Sequence, residues 1–331
     1  METIRAIVGD IGGTNCRLAE CDPNTGIIGE IRVMPVRDFK SLDQAIDSFK
    51  DLFPFHRFKS GSISIANPIV GDRITMTNAH WDFSIEQTRK NCRLDNLSML
   101  NDWESVALSL PVLGDLDVTQ INTCRQKQSG NRALCGVGTG LGAAGLVRSK
   151  DSPWVPVAGE GGHTSFSPVS REEAEILEIL RQNHETHVSF EKLLSGAGLT
   201  SLHGALGKLS GGETLQGLSP AVIVARAAQE SDPLCQRTIQ FFCGVLGSFA
   251  GNLCLTLGAT GGIYVGGGVV QKISEAGLFD EMIFLNRLTD KGRLSTWLAE
   301  IPAYIIDTQY AGLIGAAKAL GINHARVRNP S

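Results

Sequence analysis

Asp10 stands two residues ahead of Gly12-Gly13-Thr14, between two short apolar runs, Ile4 to Val8 and Cys16 to Cys21, that read as strands. A hairpin turn of this composition allows positive φ and leaves backbone N–H groups free to point at an anion. A carboxylate beside phosphates is useful only with a cation between them. Asp10 therefore reads as a magnesium partner, direct or through water. The plainer alternative is an Asp that bonds its own turn. The pattern returns in mid-chain, where Ala133 to Val137 runs into Gly138-Thr139-Gly140-Leu141-Gly142 and Ala143 to Val147 forms the return strand. This second turn is read as a further phosphate cradle, with the Thr139 hydroxyl as an added donor. Gly140-x-Gly142-x-x-Gly145 also satisfies the dinucleotide fingerprint, with Glu160 where a ribose-binding acid belongs. That fingerprint must open a helix, and Ser152-Pro153 comes too early for one. A Walker sequence is missing, because Gly207-Lys208 is followed by Leu209.

Asn101-Asp102 follows the apolar run Leu97 to Leu100 and precedes a helical stretch from Trp103 to about Leu110, closed by Pro111. Phosphoryl transfer needs a positioned hydroxyl and a group to receive its proton, which an Asp at a strand's end can be. The same position suits a helix N-cap, and the two roles do not exclude each other. Glu160 and His163 share the turn Gly159-Glu160-Gly161-Gly162-His163. That spacing can bring a carboxylate and an imidazole to adjacent polar groups of one ligand, although a lone His is more often structural.

The elements needed to position these groups alternate strand and helix. Ile27 to Val36 reads as a third strand. Leu42, Ala45, Ile46 and Phe49 recur at helical spacing behind Ser41, and Ser62 to Ala66 reads as a fourth strand. Ser84-Ile85-Glu86-Gln87 resembles a capping box opening a helix to about Cys92. The polar stretch from Thr119 to Arg132 is a candidate domain boundary. After Trp154 to Ala158 comes a helix with Ala174, Leu177 and Leu180 on one face. The longest helix runs from Pro233 to Leu257, and its Gly244, Gly247 and Gly251 leave room for another backbone. Gly262 to Val265 leads into Gly266-Gly267-Gly268, Ala303 to Ile306 is the last strand, and Gly312 to Leu320 is a closing helix that packs back on the first unit.

At 331 residues the chain has room for about two domains. Thirty basic against 34 acidic residues, a net charge of -4, give no broad basic field for nucleic acid or an anionic membrane. Thr238 to Gln271 carries no charge, but Gln240, Asn252 and a glycine-rich stretch interrupt it, as expected of a buried helix and strand rather than a bilayer span. Nothing near the N-terminus reads as a signal peptide, so a cytoplasmic location is expected. The eight cysteines form no C-x-x-C pair and read as buried thiols.

The pairing of D-x-G-G-T near the start with G-T-G-x-G in mid-chain resembles the bacterial glucokinases, of the hexokinase, actin and heat-shock-chaperone ATPase superfamily. Met76-Thr77-Asn78, Asn101-Asp102, Gly159 to His163, Leu194-Ser195-Gly196 and Gly266-Gly267-Gly268 stand in that family's order. The resemblance implies an α/β chain with the two-domain actin-like ATPase (ribonuclease H-like) fold, mixed sheets flanking a deep interdomain cleft. Its small domain is expected at residues 1–112 and 308–325 and its large domain at 113–307. It implies transfer of the γ-phosphoryl group of ATP to the 6-hydroxyl of glucose, with Mg2+ on the phosphates and Asp102 as general base. Asn101, Asp102, Glu160, His163 and Glu191 are the implied sugar ligands. Asp10, Gly12, Gly13, Thr14, Gly138, Thr139, Gly140, Gly142, Gly267 and Gly268 are the implied nucleotide-binding residues, Asp10 also serving the metal. A homodimer without nucleic acid or membrane partners is expected. A related set of sugar kinases and repressors follows the same His with a zinc-binding cysteine cluster. Here Thr164-Ser165-Phe166-Ser167-Pro168 takes its place, so no zinc is expected. A repressor also needs a DNA-binding domain, which the nine residues before Asp10 cannot supply. A nicotinamide-dependent dehydrogenase and a non-catalytic sugar or nucleotide switch are the alternatives of other classes.

Overall fold

The computed structural model describes residues 3–77, 79–125, 129–148, 153–182, 186–212 and 217–328, so Asn78 of the Met-Thr-Asn motif lies outside the described residues. The chain divides into two compact units, residues 1–114 with 308–331, and residues 115–307.

In the first unit the chain runs β1 (Thr3–Ile11), β2 (Asn15–Cys21), β3 (Ile27–Pro35), α1 (Leu42–Lys50), β4 (His56–Ile65), β5 (Arg73–Thr75), β6 (Asp82–Ser84), α2 (Ile85–Asn91), β7 (Asn96–Asn101) and α3 (Asp102–Ser109). β1 is paired antiparallel with β2 and parallel with β4, and β4 is parallel with β7. A strand inside such a sheet has both faces covered, which is why β1 is apolar on successive residues. Ile7 and Ile11 join Leu42, Ala45, Ile46 and Phe49 of α1, all fully buried, on one face. Ala6 and Val8 lie on the other. Ser84 caps α2 by accepting from the N–H of Gln87 at 3.0 Å. Ser41 stands at the N-cap of α1, but its hydroxyl is bonded to Asp43 and makes no cap bond.

The second unit continues with β8 (Val118–Gln120), β9 (Arg132–Val137), β10 (Leu141–Val147), β11 (Val155–Gly159), α4 (Arg171–Gln182), α5 (Gly196–Leu209), α6 (Pro220–Ala228), α7 (Pro233–Leu257), β12 (Gly262–Gly266), α8 (Gly268–Glu275), α9 (Glu281–Thr289), α10 (Ser295–Ala299) and β13 (Ala303–Ile306). Its sheet has the order β11-β10-β9-β12-β13-β8. The polar stretch read as a boundary thus begins inside an edge strand, β8, paired antiparallel with β13, and the division between the units falls ahead of it, after Gly114. The chain then returns to the first unit with α11 (Ala311–Ala319) and β14 (Arg326–Val327), the latter completing a sheet of order β14-β3-β2-β1-β4-β7.

The weak sequence repeat is a repeat of topology. Strands β3-β2-β1-β4-β7 and β11-β10-β9-β12-β13 match position for position: two antiparallel pairs, then two parallel ones. Each sheet contains a hairpin, β1–β2 or β9–β10, whose turn carries Gly and Thr.

Helix α7 is long and apolar enough to cross a bilayer, yet 72% of its most apolar stretch is buried within the chain. Its small-residue face is already taken by α9. A Cβ on Gly247 would stand 2.2 Å from the carbonyl oxygen of Phe284, and one on Gly251 2.4 Å from that of Leu288. That face is therefore closed to a second copy. Another expectation shifts by a residue: in α4 the buried side is Glu173, Ile176, Ile179 and Leu180, while Ala174 faces solvent. All eight cysteines are free thiols, seven buried and Cys124 half-buried.

Candidate active site

In the first unit three parallel strands end side by side. The register aligns Ile11 with Ile65 and Ile65 with Asn101, so Asp10, Asn67 and Asn101-Asp102 gather at one carboxyl edge of the sheet. Asp10 and Asp102 lie two strands apart, about 10 Å at the usual strand spacing. The carboxyl edge of an open α/β sheet is where such folds bind ligands.

Asp10 is held from both neighbouring strands. Arg17, its register partner on β2, places Nη1 3.1 Å from Oδ2, and Ser64, its partner on β4, donates its hydroxyl to Oδ1 at 3.3 Å. Burial raises the Asp10 carboxyl above its ordinary value, and Arg17 and then Ser64 oppose the shift. Neither Arg17 nor Ser64 carries a motif, and only the strand register would have found them. On the α11 side Gly312 makes room: a Cβ there would stand 3.3 Å from Asp10 Cγ.

Beyond Asp10 the hairpin closes with the N–H of Gly12 donating to the carbonyl of Asn15 at 3.0 Å. The expected positive φ is not adopted by Gly12 or Gly13, nor by Gly138, Gly140 or Gly142. Their lack of a side chain has another reason. A Cβ on Gly12 would meet no atom nearer than 3.9 Å, and one on Gly138 none within 4 Å, so these glycines present bare backbone to open space. Thr14 and Thr139 are exposed beside them.

Asn101 is the N-cap of α3. Its Oδ1 accepts from the N–H of Trp103 at 3.0 Å, and its own N–H donates to Glu104 Oε2 at 3.3 Å. Its Nδ2 donates to the carbonyl of Asn67 at 3.4 Å, and the Asn67 side chain accepts from the N–H of Thr77 at 3.3 Å. Asn67 escaped sequence reasoning because nothing local marks it. Asp102 is the first residue of the helix proper, half-buried, with Oδ1 2.9 Å from the Trp103 N–H. The cap alternative for Asp102 therefore falls mainly to its neighbour.

In the second unit the Gly138 to Gly142 turn joins β9 to β10, and three elements brace it. Gly196, at the start of α5, donates its N–H to the carbonyl of Gly138 at 3.0 Å. Glu191, in the single 3₁₀ turn Phe190–Lys192, accepts the N–H of Leu141 on Oε2 at 2.9 Å. Gly267, at φ +91°, lies so close to β9 that a Cβ would stand 2.4 Å from the Val137 carbonyl oxygen. Gly268 opens α8 beside it. Two helix N-termini thus flank the turn, and both favour negative charge.

His163 ends the 3₁₀ turn Gly161–His163, which lies against β10 because Gly162 has no side chain: a Cβ would be 2.0 Å from the Leu141 carbonyl oxygen. His163 Nε2 is 4.0 Å from Glu191 Oε1, too long for a hydrogen bond, so both groups keep capacity for a ligand's hydroxyls. Glu160, three residues earlier, is exposed, and its side chain makes no hydrogen bond among the described residues. Gly142 and Gly145 lie inside strand β10 rather than at a helix start, so the dinucleotide fingerprint has no helix to serve.

Comparison with known proteins follows the same lines. A family model described as Glucokinase matches residues 7–322. A glucokinase of Chromobacterium violaceum is 41% identical over 98% of this chain and 92% of its own length. The crystal structure of a glucokinase from an Antarctic psychrotroph superposes with a TM-score of 0.87 at 32% identity, covering 96% of this chain and 98% of that one. A glucokinase of Balamuthia mandrillaris, solved with glucose, shares the fold at a TM-score of 0.77 and 21% identity, over 95% and 92% of the two chains.

Proposed function

Because this chain belongs to the glucokinase family and phosphorylates glucose with ATP, we propose that Asp102 is the base that takes the proton from the 6-hydroxyl as that oxygen attacks the γ-phosphate. One observation carries this reading: the ends of β1, β4 and β7 put Asp10, Asn67, Asn101 and Asp102 on one sheet edge, with Asn101 in the capping role. Asn101 and Asp102 are sugar ligands in the first unit, and Glu160, His163 and Glu191 are those of the second. The latter group offers two carboxylates and an imidazole, a set that suits neighbouring hydroxyls.

The nucleotide is held by backbone. Gly12, Gly13 and Thr14 on one turn, and Gly138, Thr139, Gly140 and Gly142 on the other, offer N–H and hydroxyl donors to phosphate oxygens. Gly267 lets the backbone approach β9, and Gly268, where a Cβ would meet nothing within 4 Å, leaves room for the rest of the nucleotide. Both Asp10 oxygens already have partners, Arg17 and Ser64, but each keeps a lone pair, which fits a hydrated magnesium ion met through its water. When bound, that ion neutralises phosphate charge. Arg17 supplies positive charge on the same edge. Catalysis of this kind rests on positioning and charge, not on covalent chemistry with the protein.

The duplicated sheet order and the solved relative support the finer fold assignment, an actin-like ATPase (ribonuclease H-like) fold. The enzyme works in the cytoplasm, where ATP is available and its thiols stay reduced. It assembles as a homodimer. With the small-residue face of α7 occupied by α9, the surface favoured for assembly is edge strand β11, whose Val155 and Val157 are 52% and 42% exposed. Sedimentation at micromolar concentration should return the dimer, and monomer alone would remove this assignment.

The mechanism is tested by Asp102→Asn, which keeps the size and removes the proton acceptor. Turnover should fall at least ~100-fold while equilibrium glucose binding changes little. Asn101 still caps α3 in this variant, so the melting temperature should stay near the parent's. Near-normal turnover would eliminate Asp102 as the base.

A further inference from the structure

Helices α5 and α7 bring together three side chains that the reaction does not use. His203 on α5, Asp232 at the N-cap of α7 and Cys235 in its first turn have metal-binding atoms that all lie within 4.8 Å of one another. His203 is 7% exposed, and among the described residues neither ring nitrogen has a hydrogen-bond partner. A neutral imidazole carries one donor and one acceptor, so burying both unpaired costs the fold their hydration with nothing in return. The ring also borders a cavity of about 540 Å3, whose lining includes Gly204, Gly207, Pro233 and Leu234. Asp232 is oriented from the far side. Its Oδ1 accepts the N–H groups of Leu234 and Cys235 at 3.0 and 3.2 Å, and its side chain remains 24% exposed, giving a way in from solvent.

We propose that His203, Asp232 and Cys235 form a binding site for a zinc-class divalent metal ion that ties α5 to the start of α7. The donors suit that ion: one imidazole, one carboxylate and one thiolate cancel its charge and leave a fourth, tetrahedral position for water in the cavity. Tetrahedral zinc with bonds of about 2.0–2.3 Å holds its donor atoms about 3.3–3.6 Å apart. The group therefore has to close by little more than about 1 Å, within the range of small side-chain rotations. On binding, the Cys235 thiol gives up its proton to solvent and the Sγ–metal bond forms, with no change of oxidation state. Arg226 Nη1, 3.5 Å from Asp232 Oδ2 and half-exposed, is free to turn into water, and Arg237 at the cavity lining is paired with Glu172. The site also has a bearing on the rest of the unit. His203 lies about two turns along α5 from Gly196, whose N–H holds the Gly138 turn.

The sequence leads to the expectation of no zinc anywhere in the chain, with Cys235 among the buried thiols. The proposal departs from that expectation, because His203 and the Asp232/Cys235 pair are brought together by helix packing rather than by spacing in one motif.

The test uses the full-length protein, stripped with a chelator and titrated with Co2+ alone, then with Zn2+ in competition. One equivalent should bind, with a thiolate-to-cobalt charge-transfer band and the intense visible bands of a tetrahedral site, and zinc should abolish both. Cys235→Ser should remove the charge-transfer band, and both Cys235→Ser and His203→Asn should weaken binding at least tenfold. Cys124→Ser, which alters the half-buried thiol, should change nothing. Zinc at a hundredfold excess over its Kd should raise the parent's melting temperature by about 3 °C or more and leave that of Cys235→Ser where it was. Both variants are melted without metal first, so a folding defect is seen as such. A titration with no thiolate band, or a band that survives Cys235→Ser or disappears in Cys124→Ser, overturns the proposal.

Discussion

Asp10 is placed where the fold alone would not choose a carboxylate. Its pKa is raised by burial, and Arg17 and Ser64 only partly offset that. A raised acid holds its proton longer in the folded chain than in the unfolded one, so stability falls as pH climbs from the ordinary value of 3.8 through the raised one. At neutral pH the charge is then a cost to the fold. Asp10→Asn should therefore melt no lower than the parent at pH 7, and the two should converge as pH is lowered through that window. Magnesium-nucleotide use should weaken in the same variant while glucose affinity holds. A variant less stable than the parent at pH 7, or one with glucose affinity lost and nucleotide affinity intact, would show that Asp10 had been misassigned. The sequence made Asp10 visible because it stands in a turn of unusual composition. Arg17 and Ser64 stayed hidden because their link to it is strand register across seven and 54 residues. The same holds for Asn67 beside Asn101. Residues with a local signature can be read from the chain, whereas those that only support them need the fold.

Elements with a strong period were the ones the chain declared. All four apolar positions named for α1 are buried, and α7 has the bounds read from its apolar steps. Short elements were less legible. β5, β6 and β8 have three residues each and β14 has two, too few for a period to show. Of the α4 face that the sequence marks, Leu180 is buried and Leu177 half-buried against the core, but Ala174 is exposed and Glu173, which is ion-paired with Arg287 at 2.6 Å, takes the buried side. The glycines of α7 were noticed as a group, but their roles differ. A Cβ on Gly247 would be 2.2 Å from backbone oxygen of α9, a contact that only helix movement relieves, while one on Gly244 would meet Ile283 and Arg287 side chains at 3.5 and 3.6 Å, ordinary contact. Gly247→Ala should thus cost about 1–3 kcal/mol as overpacking. Gly244→Ala should be neutral or gain up to about 1 kcal/mol from helix propensity. Urea unfolding of the two variants checks this, and equal effects would mean that α9 does not sit against Gly247 as described.

At the scale of the whole chain, the two units share a sheet plan but differ in how they are completed. The second unit is one continuous segment, residues 115–307, with a single large core around α7. The first is closed only when the chain comes back with α11 and β14. One face of β1 and β2 offers Ala6, Val8, Ala19 and Cys21, and these are covered by Leu313, Ile314, Ala316 and Ala317 of α11. The fit is close. Gly315 of α11 lies so near α3 that a Cβ would be 1.7 Å from the Ser105 carbonyl oxygen, and the Ser105 hydroxyl donates to the Gly312 carbonyl at 2.8 Å. A chain ended after Asp307 would expose that whole face, at a cost of roughly 1.5–3 kcal/mol for each large side chain left uncovered. Val8 and Ile28, with the smaller Ala6, Ala19 and Cys21, bring that loss to a large part of the stability of an ordinary domain, about 5–15 kcal/mol. The first unit should then fail to fold while the second, with its own core intact, still does. The shortened chain should show an amide-exchange pattern in which residues 115–307 keep protected core strands and residues 3–114 lose theirs, with no kinase activity. Protection retained in β1 and β4 of the shortened chain would show that α11 is an accessory to the first unit rather than its missing layer.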